Sequence, residues 1–173
     1  PYVNWKDLFK YSKDLICLAG GNFGFISKNY MNETINNTNQ AIKTLKRIFK
    51  DDFFLELQKL NKTNQELCNY LIKESDEQKI PLVATNENFF LEKSFINSHD
   101  ALLSISEQKY IESEDRLKSS NDFCFKDNNE MLLDFQNFPD AIENTVKIAK
   151  KFIFFLQEKS PKLPRINIEN SDE

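Results

Sequence analysis

An α/β fold built on a parallel sheet is what this sequence predicts, and three observations predict it. Short apolar runs occur at residues 15–19 (Leu-Ile-Cys-Leu-Ala), 53–57 (Phe-Phe-Leu-Glu-Leu) and 82–84 (Leu-Val-Ala). Between them lie segments whose apolar residues recur at helical spacing. The glycines, Gly20, Gly21 and Gly24, all follow the first run, where a chain leaving a strand must turn. The stretch 80–90 (Ile-Pro-Leu-Val-Ala-Thr-Asn-Glu-Asn-Phe-Phe) organises the rest. Pro81 suits the first residue of a strand, where a missing N–H costs least. Thr85, Asn86 and Glu87 then stand at the strand's end, the edge at which α/β folds bind ligands. A buried strand with a solvated polar end is the plain alternative.

Bulk composition limits the options. The chain has 173 residues, 40% hydrophobic and 13% aromatic with 16 Phe, which is enough for one domain with a sizeable core. A net charge of −4 gives no large electrostatic footprint for nucleic acid and leaves only a local basic patch as a candidate. Cys17, Cys68 and Cys124 are odd in number and far apart, with no C-x-x-C pair. They predict cytosolic free thiols rather than a zinc knuckle or a disulfide framework, and hence a cytoplasmic protein. His99 is the one histidine, which excludes metal sites made of several imidazoles within this chain. No Ser or Cys sits in a nucleophile motif such as G-x-S-x-G. No apolar run approaches a membrane span, and no signal peptide opens the chain. The first residue is Pro, which predicts that the chain begins inside something longer or was trimmed.

In chain order, Trp5, Leu8, Phe9 and Tyr11 predict a short amphipathic helix. The glycines after the first strand permit a phosphate-cradling loop or a tight strand-exit turn. Neither G-x-G-x-x-G nor a P-loop is present, which favours the turn. Residues 29–39 are Asn-rich and predict a loop or a helix start. Ala41, Ile42, Leu45, Ile48 and Phe49 give a helix face, with Lys43, Lys46, Arg47 and Lys50 covering the other side. That basic face could touch a phosphate backbone or be simply solvated. Glu56, inside the second strand, points either into a cavity or outwards. Thr63-Asn64-Gln65-Glu66 has the form of a capping box before a helix carrying Leu67, Tyr70 and Leu71. After Phe90, Ser94 is the predicted cap of a helix through Ile96, His99, Leu102, Leu103 and Ile105. His99 is a ligand or a core histidine with satisfied nitrogens. A short strand is predicted at 123–125, and a capping box at Asp127-Asn128-Asn129-Glu130 before Met131, Leu132 and Phe135. Pro139 fits the first turn of a helix showing Ile142, Val146, Ala149, Phe152 and Ile153. An extended tail or linker is expected over 161–173.

Taken together and in order, several segments carry a resemblance. They are Leu18-Ala19-Gly20-Gly21, Phe54-Leu55-Glu56-Leu57-Gln58, Ile80-Pro81-Leu82-Val83-Ala84-Thr85-Asn86 and His99-Asp100-Ala101-Leu102-Leu103. Asp115-Arg116-Leu117-Lys118, Asn129-Glu130-Met131, Pro139-Asp140-Ala141-Ile142-Glu143-Asn144-Thr145 and Ile148-Ala149-Lys150-Lys151 follow. The series resembles the PHP (polymerase and histidinol phosphatase) domain of bacterial replicative DNA polymerase III alpha subunits, over about Trp5 to Arg165. Lys162-Leu163-Pro164 resembles the stretch where that domain hands over to the polymerase body.

The resemblance implies an α/β fold that is the later part of a distorted β/α barrel, with parallel strands alternating with helices and a helical C-terminal portion. It implies a partial PHP domain over 1–160 and a linker towards the missing polymerase body over 161–173. The family's opening half, with its His-x-His strand, and the palm carboxylates that hold magnesium for nucleotidyl transfer are not in this sequence. Metal-competent members carry Cys after Ser-Gly at the strand exit, where this chain has Gly21. They carry Asp-x-His after the Ala-Thr-Asn strand, where it has Glu87, Asn88 and Phe89. Gly21 and Phe89 thus occupy lost ligand positions, and Glu87 is a possible remnant. No catalytic or cofactor-binding residue is assigned within the chain. The histidine matching His99 is read as packing or hydrogen bonding on a helix. Arg116 and Lys118, in a segment the family shares, are assigned no chemistry, the plain reading of both being a surface salt bridge of little consequence.

The implied function is a structural and interaction module of a DNA-directed DNA polymerase working in replication. Its partners would be the remainder of the alpha subunit, the proofreading exonuclease subunit, and DNA through the parent protein. The rival expectations are a metal-dependent phosphoesterase or 3'-5' exonuclease using Glu87, and a free-standing product of a split gene.

Overall fold

A computed structural model describes residues 3–58 and 65–161. The elements run α1 (Trp5–Tyr11), β1 (Cys17–Ala19), α2 (Phe25–Asn32), α3 (Ile35–Phe49), β2 (Phe53–Gln58), α4 (Gln65–Gln78), β3 (Leu82–Thr85), α5 (Ile96–Glu107), α6 (Asn128–Asp134) and α7 (Pro139–Lys151). Short 3₁₀ turns occupy Lys50–Asp52, Lys93–Phe95 and Asn121–Phe123. The strands form one parallel sheet in the order β1-β2-β3, with Leu18 opposite Phe54, and Leu55 opposite Leu82. The predicted α/β class and parallel sheet are present. Among the described residues the sheet has three strands and stays open, without closing into a barrel.

β2 lies between its neighbours and is buried along most of its length, which explains its nearly unbroken apolar sequence. Phe53 and Leu55 face a core made with Ile26 of α2, Ile42, Leu45 and Phe49 of α3, and Leu67 and Leu71 of α4. Phe54 and Val83 face the other way and meet Ile148 of α7. Leu57 and Ala84 pack against Phe135 and Ala141 near the start of α7. Helices therefore cover both faces of the β2–β3 pair, while Leu18 of β1 remains 42% exposed.

Several elements differ from expectation. The first strand is shorter than 15–19 and begins at Cys17. Of the two readings of the Asn-rich stretch, the helix start holds and the loop does not: α2 ends at Asn32 and α3 starts at Ile35. Thr34 caps α3 by accepting from the Asn37 N–H, and Thr38, fully buried, donates its hydroxyl to the Thr34 carbonyl. Burial of one side of the stretch outweighs the weak helix preference of Asn. Ser94 lies inside the 3₁₀ turn before α5 and donates to Glu92 at 3.3 Å, so Phe95 rather than Ser94 holds the N-cap position. The 123–125 strand is reduced to a single parallel bridge between Phe90 and Cys124. The Asp127 capping box is formed, with Glu130 N–H donating to Asp127 and Asp127 N–H to Glu130. Pro139 opens α7 as predicted. The capping-box residues Thr63 and Asn64, and the 162–164 handover, lie outside the described residues.

α7 buries Ala141, Asn144 and Ile148 rather than Val146 and Ala149, and ends at Lys151, so Phe152 and Ile153 lie beyond it. Asn144 explains the choice of face: its amide donates to the Leu82 carbonyl at 2.7 Å. The Pro81 carbonyl turns inward to the Leu55 N–H, so the Leu82 carbonyl points to the open side of β3. Asn144→Leu leaves that buried acceptor bare and lowers unfolding stability by about 1–3 kcal/mol, measurable by urea denaturation. An unchanged midpoint would show that water replaces the amide.

Candidate functional site

The carboxyl ends of the three strands converge on a polar cluster. The pairing register places Gln58 opposite Thr85 and Glu56 opposite Val83, two pairs further back. Thr85 donates its hydroxyl to Glu56 Oε1 at 2.7 Å, and Gln58 Nε2 donates to Thr85 Oγ1 at 3.1 Å. Gln58 Oε1 accepts the Asn22 N–H at 2.8 Å, which ties the glycine loop to β2. The loop is fixed from beneath by Ser27, fully buried, whose hydroxyl lies 2.9 and 2.7 Å from the carbonyl oxygens of Gly20 and Gly21. Gly20 has φ +126°, a conformation that requires glycine. The strand-exit turn expected from the glycines is thus present.

At Gly21 a Cβ would stand 2.8 Å from Glu56 Oε2 and 3.3 Å from Gln58 Nε2. The Glu56 carboxylate therefore takes the room that a side chain at this position would need. Glu87 follows β3 and is half-buried, and its Oε2 is buried without a hydrogen-bond partner, as is Asn22 Nδ2. Burial first, and the Glu56 carboxylate second, push the Glu87 carboxyl above its ordinary value. Among the described residues no three His, Cys, Asp or Glu side chains group so as to hold a metal ion. Chemically, the arrangement offers two carboxylates with amide and hydroxyl neighbours.

A raised folded-state value means the folded chain holds the Glu87 proton more tightly than the unfolded one. The stability this contributes is complete below the unfolded value, near 4.5, and is lost as pH rises through the folded value. Glu87→Gln is therefore expected to raise the Tm at pH 7 and leave it nearly unchanged at pH 4. Thermal melts at the two pH values test this, and a variant no more stable at pH 7 counts against it.

Phe89 does not stand alone at its position. Its ring stacks on His99, centroids 5.3 Å apart and planes 12° apart, and meets Phe123 edge-on at 5.1 Å. His99 is half-buried, also touches Phe90, and its Nδ1 lies 2.7 Å from Ser119 Oγ. Asn86 Nδ2 reaches the carbonyls of Asp122 and Cys124 at 3.2 and 3.0 Å, tying the post-β3 loop to the same layer.

Arg116 departs from the surface salt bridge expected of it. Its side chain is only 4% exposed. It grips Asp100 with two parallel hydrogen bonds of 2.9 and 2.6 Å and donates to the Ile111 and Leu117 carbonyls. Arg116, followed by the Ser119 N–H, holds the Asp100 carboxyl well below the usual carboxylate range. It anchors the 109–120 loop to α5.

Sequence reasoning singled out Glu87, Gly21, Phe89 and Glu56 but passed over Gln58, Asn22 and Ser27. Alternation along β2 puts Glu56 and Gln58 on one face, and that is the signal that could have found Gln58.

These features define a class: an α/β segment with a carboxylate-bearing polar site at the carboxyl ends of parallel strands. The chain is homologous to a segment of the DNA polymerase III alpha subunits. It is 31% identical over 165 residues to the DNA polymerase III subunit alpha of Caulobacter vibrioides, covering 95% of this chain and 14% of that protein. Identity is 33% over 153 residues to that of Borreliella burgdorferi (87% and 13%), and 32% over 174 residues to that of Rickettsia bellii (99% and 15%). The chain thus spans about one seventh of the length of the curated relatives it matches. No family model matches it. Among the described residues no helix is long and apolar enough to cross a membrane.

Proposed function

We propose that this chain is the later part of a PHP-type β/α barrel in a DNA polymerase III alpha subunit, working in chromosomal replication as a structural and interaction module. Residues 1–160 form the partial domain and 161–173 lead towards the polymerase body. The observation that carries the reading is the near-complete coverage of the chain by alpha-subunit relatives at about one third identity. The exposed apolar residues Phe152, Ile153, Phe154, Phe155 and Leu156 agree with it. Such a run belongs against the remainder of the subunit. The proofreading exonuclease subunit is a second proposed partner, DNA is met through the parent protein, and the setting is cytoplasmic. Nucleotidyl transfer and its magnesium belong to the parent protein.

The PHP site of this module is degenerate. Gly21 and Phe89 donate nothing to a metal, and Glu56 fills the space beside Gly21. Among the described residues no three His, Cys, Asp or Glu ligands group together, so no metal-dependent step is assigned to these residues.

A second reading, a metal-dependent phosphoesterase or 3'-5' exonuclease, is favoured by one observation: the buried, unpartnered Glu87 Oε2 beside the Glu56 charge. Blotting source-cell extract with an antibody to this chain tests the first reading. A band several-fold above 20.4 kDa is expected, and a band near 20.4 kDa overturns it. Metal content of the purified full-length product separates the two readings. Stoichiometric metal lost in Glu87→Ala would establish the second.

A further inference from the structure

At the opposite end of the sheet from the strand-exit site lies a groove of about 520 Å³. Its walls carry Lys43, Lys46, Arg47 and Lys50 from the end of α3 and Lys79 from the turn after α4. Phe53, Ile80 and Pro81 also line it, the first two buried, and Asp51 is its acidic member. We propose that this groove binds the phosphodiester backbone of nucleic acid.

Three observations carry the proposal. The first is pairing. The described residues contain seven ion pairs, and none uses any of these five cations, although acids outnumber bases in the chain. Lys46 alone has a nearby acceptor, the Gln78 carbonyl. The second is like-charge spacing. Lys43 and Arg47 stand four residues apart on α3, a spacing at which equal charges repel on a helix. The helix dipole accounts for Lys46 and Arg47 in the last turn of α3 and for Lys50 and Lys79 directly after α3 and α4, but not for Lys43. The third is backbone strain. Lys50 and Lys79 have φ of +53° and +54°, where glycine or asparagine ends a helix at lower cost. Both helices thus keep a lysine at a strained position on the rim of the same groove.

The spacing suits the ligand. Lys43 to Lys50 covers about 10 Å along the helix axis. Successive phosphates of one duplex strand advance about 3.4 Å along the axis, so the row spans roughly three of them. The proposal stands on the groove itself and not on the polymerase reading, which is decided separately by product size and metal content.

The test uses the 173-residue chain, a short fluorescein-labelled DNA duplex and fluorescence anisotropy over a salt series. Lys50→Gly/Lys79→Gly is compared with Lys28→Gln/Lys73→Gln, which removes the same charge outside the groove. Lys50→Gly/Lys79→Gly is expected to weaken binding on the order of tenfold and to flatten the log–log salt slope by about 1.8, two contacts at about 0.9 each. The same variant is expected to melt at or above the unsubstituted chain, because glycine relieves both strained positions. Affinity and stability then move in opposite directions, which a merely misfolded variant would not produce. The control pair is expected to leave affinity nearly unchanged. The proposal is overturned if the chain binds no duplex at low salt, or if both pairs weaken binding equally. It is also overturned if poly-glutamate of matched charge binds as tightly as the duplex, which would mark an acidic-peptide surface.

Discussion

Gly20→Ala is expected to melt far below the unsubstituted chain. At φ +126° an L side chain is strained, at a cost of about 1–3 kcal/mol. The added Cβ also meets backbone, 2.9 Å from the Glu56 carbonyl oxygen and 3.2 Å from its nitrogen, with Leu71 Cδ1 at 3.2 Å. None of these is the end of a flexible surface side chain, so overpacking adds about 1–3 kcal/mol more. The effect should spread to the site, because Gly20 and Gly21 hold Ser27 and position Asn22 for Gln58. Urea denaturation measures the loss. A variant within about 1 kcal/mol of the parent would show that the turn can be rebuilt with an ordinary φ.

Phe53→Ala is the second large effect. Phe53 is fully buried and packs in the cluster that joins β2 to α3 and α4. Truncation removes a whole ring from a site bounded by strands and helices that cannot easily close over the void, at about 3–5 kcal/mol. Against a typical total of about 5–15 kcal/mol, this brings the chain near its unfolding threshold. The expected sign is a broad, low-temperature melt with loss of near-ultraviolet aromatic signal. A midpoint shift below about 1 kcal/mol would mean that the cavity collapses.

Much of the fold was legible because local signals agreed with the tertiary answer. The apolar runs at β2 and β3, the glycines after β1, the Asp127 box and Pro139 at the head of α7 all took their expected roles. The misses share one cause. Residues 29–39 read as a loop or a helix start because Asn is a weak helix former, and it is the burial of Thr38 and Ile26, which hold the two helices against the core, that decides for helix. Apolar spacing along α7 pointed to Val146, while the buried partner is Asn144, chosen by a carbonyl distant in sequence. Ser94 was a sound cap by type, but the 3₁₀ turn moved the helix entry past it. Arg116 read as a surface charge because nothing nearby in sequence announces its two-bond grip on Asp100. For the site, Glu56 and Glu87 were visible as residue types. Their approach was not, since it follows from the β2–β3 register and the turn after β3.

The Asn144–Leu82 bond has a consequence for how the chain is made. Its two ends are 62 residues apart. At about 5–20 residues per second, roughly 3–12 s of translation separate them. During that interval the nascent chain can already pair its three strands, yet the outer margin of β3 has no partner. Ribosome-bound chains are then at their most vulnerable to joining one another edge to edge, and the emergence of α7 ends the exposure. Slower translation between β3 and α7 should therefore lower the soluble yield without altering the finished fold.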